Sequence, residues 1–331
     1  PAVACETTVG VVMSLTGPAG QYGQAGAKSV EMAFDDINKA GGANGCDLVT
    51  DSRDAQSQGN VAVDQARQLV NIKNVPVIIG GIISSVSIPI LTSVTAPGKV
   101  VQVSPASSSP TLTQLAKDGK TYVNNDFGVN MVKEFTTAFE KLGGTITSST
   151  PYNEKQANYN AEATSAMAGD PEALYLVSYP VDGATIARAW ISQGGPQKFL
   201  LNDGMNSTEF VEAVGAKYLN DAYGTSSGTE ETASTKYFYD NYEKFSGGIE
   251  PSAPAADRSY DAGAIVGLAI AKAGSTDAAA IRDAIPQVVA DGGEVIYAGP
   301  EEFKKALGLM EDGKAIKYEG VIGPVTFDKY G

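Results

Sequence analysis

Two hydroxyl-rich stretches and one acidic residue carry most of the chemistry this sequence offers. Ser84-Ser85 follows an apolar strand candidate at residues 75–79 and its Gly80-Gly81 break, and Ala106-Ser107-Ser108 follows a second at residues 99–103. Hydroxyls and backbone N–H groups gathered at strand ends suit an anion such as a carboxylate. Asp203, just after a strand candidate at residues 198–201, suits the opposite charge, such as an ammonium. Each also has a plainer reading: serines after strands are ordinary N-caps, and an Asp before Gly204 forms an Asx-turn. Asp182 is a weaker partner for a cation and reads better as the cap of the helix that follows it.

What the chain lacks narrows the chemistry further. Its 331 residues include no histidine, which removes the Ser-His-Asp triad, the Cys-His pair, the histidine general base and histidine-ligated metals. Lys and Arg number 24 against 38 Asp and Glu, a net charge of −14; nucleic-acid binding needs the opposite balance. With 43% hydrophobic residues the chain can build real cores, and 331 residues leave room for two domains.

Positioning those residues requires strands and helices in alternation. Residues 8–15 read as a buried strand, and residues 24–39 as a helix with Ala27, Val30, Ala33, Phe34 and Ile37 on one face. Strands follow at 48–50, 75–79 and 99–103, with helices at 60–71 and 87–94 between them. The rhythm repeats with a helix at 129–142, strands at 145–150, 173–177, 198–201 and 222–225, and helices at 183–193 and 208–214. Helices at 233–245, 257–273, 276–285 and 300–309 come next, and residues 320–328 form two short strands or a hairpin. Ala262, Gly263, Ala264 and Gly267 permit close helix packing, and Trp190 reads as core. Apolar strands alternating with helices mean an α/β fold with parallel sheets covered on both faces.

Cys5 and Cys46 open the first two strands. In a βαβ unit such starts lie side by side, within disulfide reach; the alternatives are two reduced thiols or a lipid-modified Cys5 after Ala4. A disulfide implies an oxidising compartment. No apolar run reaches the roughly 18–20 residues that span a bilayer. The chain enters a strand almost at once, as a processed secreted protein would.

Residues 9–23, reading VGVVMSLTGPAGQYG, resemble the opening of the type I periplasmic binding proteins, and more narrowly of the branched-chain amino acid (Leu/Ile/Val) binding proteins of ABC importers. The resemblance continues in order through KSVEMAFDDINKAGGANG (28–45), IIGGIISSVSIPI (78–90), VQVSPASSSPTLT (101–113), NNDFGVN (124–130), SYPVDG (178–183), LLNDGMNS (200–207) and GPVTFD (323–328). It implies two Rossmann-like lobes joined by a three-strand hinge and closing on a small ligand, with lobe 1 at residues 1–120 plus 228–316 and lobe 2 at residues 122–227 plus 317–331. The crossings fall near residues 120–122, 224–230 and 316–321. Against the family pattern, a strand-helix-strand unit of about thirty residues is missing between Thr121 and Tyr122, where only Tyr122-Val123 remains of a strand; it is either a true deletion or residues left out of this sequence, and the second is expected because deleting a central strand would expose core on both neighbours.

The resemblance also assigns roles. Positions matching Ser84, Ala106 and Ser108 hold the ligand's head group, with Ser85 and Ser107 beside them, and Asp203 matches the acidic anchor of the ammonium. Tyr22, Phe127 and Tyr179 lie on loops that face the cleft, where open α/β sheets bind ligands; the family commonly has tyrosine at Phe127. The function implied is an extracytoplasmic, non-catalytic receptor, periplasmic and monomeric. It would bind a small amino acid without cofactor or metal and present it to a membrane permease. The alternative on the same fold is an aromatic or other small carboxylate. A nucleotide-dependent oxidoreductase is the remaining reading: Gly17, Gly20 and Gly23 follow the first strand and Asp51 ends the second. However, the dinucleotide fingerprint wants GxGxxG, and Pro18 occupies the spacer.

Overall fold

β1 (Glu6–Met13) is buried along nearly its whole length because it lies inside a parallel sheet. In the computed structural model, which describes residues 5–118 and 126–328, it is followed by α1 (Gly20–Lys39), β2 (Asp47–Asp54), α2 (Gly59–Asn71), β3 (Val77–Gly80), α3 (Ser84–Ile90), the single turn α4 (Ala96–Gly98), β4 (Val101–Val103) and α5 (Pro110–Asp118). The sheet order is β2-β1-β3-β4, parallel throughout. Then come α6 (Asp126–Lys141), α7 (Asn160–Ala166), β5 (Leu174–Leu176), α8 (Pro180–Ser192), β6 (Phe199–Leu201), α9 (Thr208–Val214) and β7 (Tyr223–Gly224), with β5, β6 and β7 in a second parallel sheet. The chain ends through α10 (Ala233–Ser246), α11 (Ala256–Ala273), α12 (Ala278–Ala284), β8 (Glu294–Ile296), α13 (Pro300–Glu311), β9 (Ile316–Gly320) and β10 (Gly323–Pro324). β8 and β9 pair parallel, and β9 and β10 form the expected hairpin.

Two compact units result. Among the described residues, unit 1 holds residues 5–16, 20–118 and 228–328, and unit 2 holds residues 17–19 and 126–227. In unit 1, α11 packs on α1 as its small residues require: a Cβ on Gly267 would lie 2.3 Å from Ile37 Cδ1. In unit 2, Tyr159, Trp190, Phe199 and Phe210 form the centre of the core. The Trp190 indole N–H is satisfied there, donating to the Pro196 carbonyl at 2.8 Å. No described helix is by itself long and apolar enough to cross a membrane.

Three expectations are corrected or left outside this description. The tail from residue 317 belongs to unit 1 rather than to the second lobe. β9 continues the sheet from β8, and Asp261 on α11 accepts hydrogen bonds from the Tyr318 hydroxyl (2.8 Å) and from the N–H groups of Val321 (2.7 Å) and Ile322 (3.0 Å). Residues 145–150 alternate in exposure along the chain but form no ladder; a strand needs a neighbour about 4.8 Å away, and among the described residues none pairs with it. The α6 helix beside it has no buried described residue, and Val129 and Leu142 are 67% and 86% exposed. Its Phe135 instead stacks on Tyr175 at 3.9 Å between ring centroids. The missing strand-helix-strand unit and the first crossing fall at residues 119–125, outside the described residues.

The expected disulfide is formed. Cys5 and Cys46 are bonded, with Cα atoms 4.6 Å apart, because the parallel register sets Glu6 opposite Asp47. The bridge closes a loop over a sequence separation of 41, which restricts the unfolded chain by about 3–4 kcal/mol. Cys46→Ser is therefore expected to lower the stability of unit 1 by that amount in denaturant titration. Reduction of the parent by dithiothreitol should produce the same loss, and no further loss in the variant.

Candidate functional site

In unit 1 the loop after β1 is set by one carboxylate. Asp54, at the end of β2, accepts hydrogen bonds from the N–H groups of Leu15 (2.9 Å), Thr16 (3.1 Å) and Gln56 (2.7 Å) and from the Thr16 hydroxyl (2.6 Å). Burial works against the charge, but these donors outweigh it and hold the carboxyl below the usual range. The loop so fixed leads into α1, where Tyr22 is buried in the first turn. Asp51, considered above for a ribose, is instead ion-paired with Arg53 at 2.7 Å.

The loops after β3 and β4 form one hydrogen-bonded unit. Adjacent parallel strands bring their C-terminal ends together, and short polar side chains bridge them. Gln102 of β4 donates to the carbonyls of Gly80 (2.9 Å) and Ser87 (3.0 Å) and accepts from the Thr95 hydroxyl (2.7 Å). The hydroxyls of Ser87 (2.7 Å) and Ser104 (2.6 Å) both donate to the Gly81 carbonyl. Ser84 opens α3 and is 1% exposed; its hydroxyl oxygen accepts the Ser109 N–H at 3.2 Å. Ser85, Ala106 and Ser107 are half-buried and Ser108 is exposed. All five predicted serine-loop residues therefore lie on these two joined loops.

Unit 2 uses the same device after β5 and β6. The Ser178 N–H donates to Asn202 Oδ1 at 3.1 Å, and the Ser178 hydroxyl lies 2.6 Å from the Tyr152 hydroxyl. A Cβ on Gly204 would sit 2.5 Å from the Ser178 carbonyl oxygen, so only glycine lets the two loops approach this closely. Asp203 begins a short 3-10 turn and is half-buried, with Asn202 Nδ2 3.5 Å from its Oδ1. Tyr179 is buried immediately before α8, where its carbonyl accepts the Gly183 N–H at 2.8 Å. Burial, and secondarily the Asp203 charge, push the Tyr175 hydroxyl up.

Asp182 departs from its expected capping role. It lies inside the first turn of α8, is 4% exposed and accepts the Lys155 N–H at 3.3 Å. Burial, together with the nearby Asp182, raises the Glu154 carboxyl. The position of the Phe127 side chain lies outside the described residues. Sequence reasoning missed Asp54, Ser87, Gln102, Ser104 and Asn202, since each acts through a partner distant in sequence. For Asp54, Ser104 and Asn202 the signal was their place at or just beyond a strand end; Ser87 inside α3 and Gln102 within β4 carried none. No cluster of three metal-ligating side chains occurs among the described residues.

The periplasmic binding protein profile matches residues 6–119 and 119–329. The substrate-binding protein BasB of a chemotactic signal transduction system in Halobacterium salinarum is 23% identical, over 96% of this chain and 82% of its own length. A Leu/Ile/Val-binding protein homolog of Brucella melitensis is also 23% identical, over 87% of this chain and 84% of its own. Among solved structures, the leucine binding protein LivK of Thermotoga maritima superposes with a TM-score of 0.78 at 21% identity, covering 98% of this chain and 92% of that one. The branched-chain amino acid transporter substrate binding protein LivJ of Streptococcus pneumoniae, solved with isoleucine, gives 0.75 at 20% identity with the same coverage. With a family profile matched along almost its full described length and a two-unit α/β fold shared with those structures, this chain belongs to the periplasmic binding protein family.

Proposed function

We propose that this chain is a non-catalytic, extracytoplasmic solute-binding protein of an ABC importer that takes a small amino acid, branched-chain or related. The observation that carries this reading is Ser84. It is 1% exposed and its oxygen accepts the Ser109 N–H, yet its own proton has no acceptor among the described residues. A buried donor without a partner costs about 1–3 kcal/mol, and a ligand carboxylate relieves that cost. Ser108 and the backbone around Ala106 extend the anion-binding half, and Asp203 supplies the charge for the ammonium. Tyr22 and Tyr179 supply apolar walls. Binding stabilises whichever arrangement of the chain makes these contacts better, and that form is presented to a membrane permease. The Cys5–Cys46 bond supports an oxidising, periplasmic location.

A thermal-shift screen against the standard amino acids and a set of aromatic acids, followed by calorimetry on the hits, tests the reading. An aliphatic amino acid is expected to bind at about micromolar Kd, worth roughly −8 kcal/mol. Replacing both Ser84 and Ser108 by alanine should weaken it by at least about 100-fold, as for two lost hydrogen bonds to a charged group. Unchanged affinity in the double variant would remove these serines from the site.

A further inference from the structure

We infer that Ser87 and Ser104 are positioning residues that fix the Ser107 hydroxyl as a hydrogen-bond acceptor, so that the serine loops of unit 1 favour α-amino carboxylates over carboxylates lacking the amino group. This inference rests on the functional reading above and deepens it by naming what the loops discriminate.

The argument is a count of protons. Three hydroxyls, those of Ser87, Ser104 and Ser107, meet around the Gly81 carbonyl. Three oxygen–oxygen approaches among them are short: Ser87 to the Gly81 oxygen at 2.7 Å, Ser104 to the Gly81 oxygen at 2.6 Å, and Ser87 to Ser107 at 2.6 Å. Two oxygens come this close only with a proton between them. A carbonyl donates nothing, so Ser87 and Ser104 must each give their single proton to Gly81. The Ser87 proton is then spent, and the remaining short contact can only be Ser107 donating to Ser87. The longer approaches, Ser87 to Ser104 at 3.3 Å and Ser107 to the Gly81 oxygen at 3.5 Å, receive no proton.

The arrangement is held from behind. The Ser107 N–H donates to the Ser104 hydroxyl oxygen at 3.2 Å, and Gln102 ties the Gly80 and Ser87 carbonyls to β4. The Ser107 oxygen therefore has only lone pairs left to offer a ligand. Ser84, three residues after Gly81, has the opposite polarity, with its proton unspent. One pair of loops thus offers a donor and an acceptor, the two polarities that an α-amino carboxylate requires. A carboxylate without the amino group would set its apolar α-carbon against the Ser107 oxygen and leave that oxygen desolvated and unpaired.

The test compares L-leucine, L-isoleucine and L-valine with their 2-deamino acids (4-methylpentanoate, 3-methylpentanoate and 3-methylbutanoate) by calorimetry on the parent, Ser87→Ala and Ser107→Ala. Ser87→Ala frees the Ser107 proton and Ser107→Ala removes the acceptor. In both, affinity for the best-bound amino acid should fall about tenfold, as for one hydrogen bond to a charged group, while affinity for its 2-deamino counterpart should not fall, and in Ser107→Ala should rise, because the unpaired oxygen is gone. An equal fall for both ligands, the mark of a merely structural role, overturns the inference, as does no change for either. Ser107→Ala replaces a half-buried side chain and decides the matter should Ser87→Ala fail to fold. A parent that binds amino acids but discriminates no better than its variants defeats the inference alone; a parent that binds no amino acid defeats the functional reading and the inference with it.

Discussion

Raising the pH from 5 to 8 should lower the thermal stability of this protein, and Asp36→Asn should remove about a third of that loss. Asp36 lies on the buried face of α1 and accepts hydrogen bonds from the hydroxyls of Tyr260 (2.6 Å) and Tyr237 (2.8 Å). Burial pushes its carboxyl up to about 6, against the lowering effect of the two tyrosines. Asp261, fully buried on α11, is pushed up to about 7 despite its three donors. A carboxyl whose folded value exceeds its unfolded value near 3.8 binds its proton more tightly when folded. Its contribution is complete below about pH 4 and disappears as the pH rises through about 6 for Asp36 and about 7 for Asp261. The sizes are roughly 3 kcal/mol for Asp36 and roughly 4 kcal/mol for Asp261, at 1.36 kcal/mol per unit. Asp54 acts in the opposite sense, losing its contribution only as the pH falls below the ordinary carboxylate range. Because the chain has no histidine, no ordinary side chain titrates in this window to mask the slope. Melting temperatures at constant ionic strength, parent against Asp36→Asn, check it. Parallel curves for the two proteins would mean that Asp36 is ionised throughout.

Asp203→Asn should abolish amino-acid binding for practical purposes, weakening it by at least about 100-fold, since a buried ammonium that loses its carboxylate costs about 3–5 kcal/mol. Asparagine keeps the shape of the turn, and Asp203 is half-buried rather than core, so the ligand-free melting temperature should stay within about 2 °C. Asp182→Asn is the comparison. Asp182 is buried beside Glu154 with the Lys155 N–H on its carboxylate, so its loss should be felt in stability and little in affinity. The reverse outcome, affinity lost at Asp182 and kept at Asp203, would move the cation anchor to the first turn of α8.

Much of this protein was legible one segment at a time. The strand-helix alternation, the small-residue face of α11, the core position of Trp190 and the Cys5–Cys46 pairing all follow from local pattern and from the adjacency of βαβ starts. The serine stretches and Asp203 were visible as polar residues at strand ends, although their assignment to a ligand came from resemblance to a family. Residues 145–150 show where local pattern fails. Their alternation is strand-like, yet a strand exists only where a second one supplies its hydrogen bonds, and that partner is a matter of the rest of the chain.

The classes of chemistry excluded by the absence of histidine, the α/β character and the places where polar groups gather are all readable from the amino acids, because these depend on residue type and on spacing within one element. That residues 317–328 complete unit 1 around Asp261, that Asp182 is buried, and that Ser87, Ser104 and Ser107 meet at one carbonyl emerges from the folded chain alone. Those outcomes depend on hydrogen bonds and burial between residues far apart in the chain, and a proton can be assigned to a hydroxyl only when every oxygen around it is known.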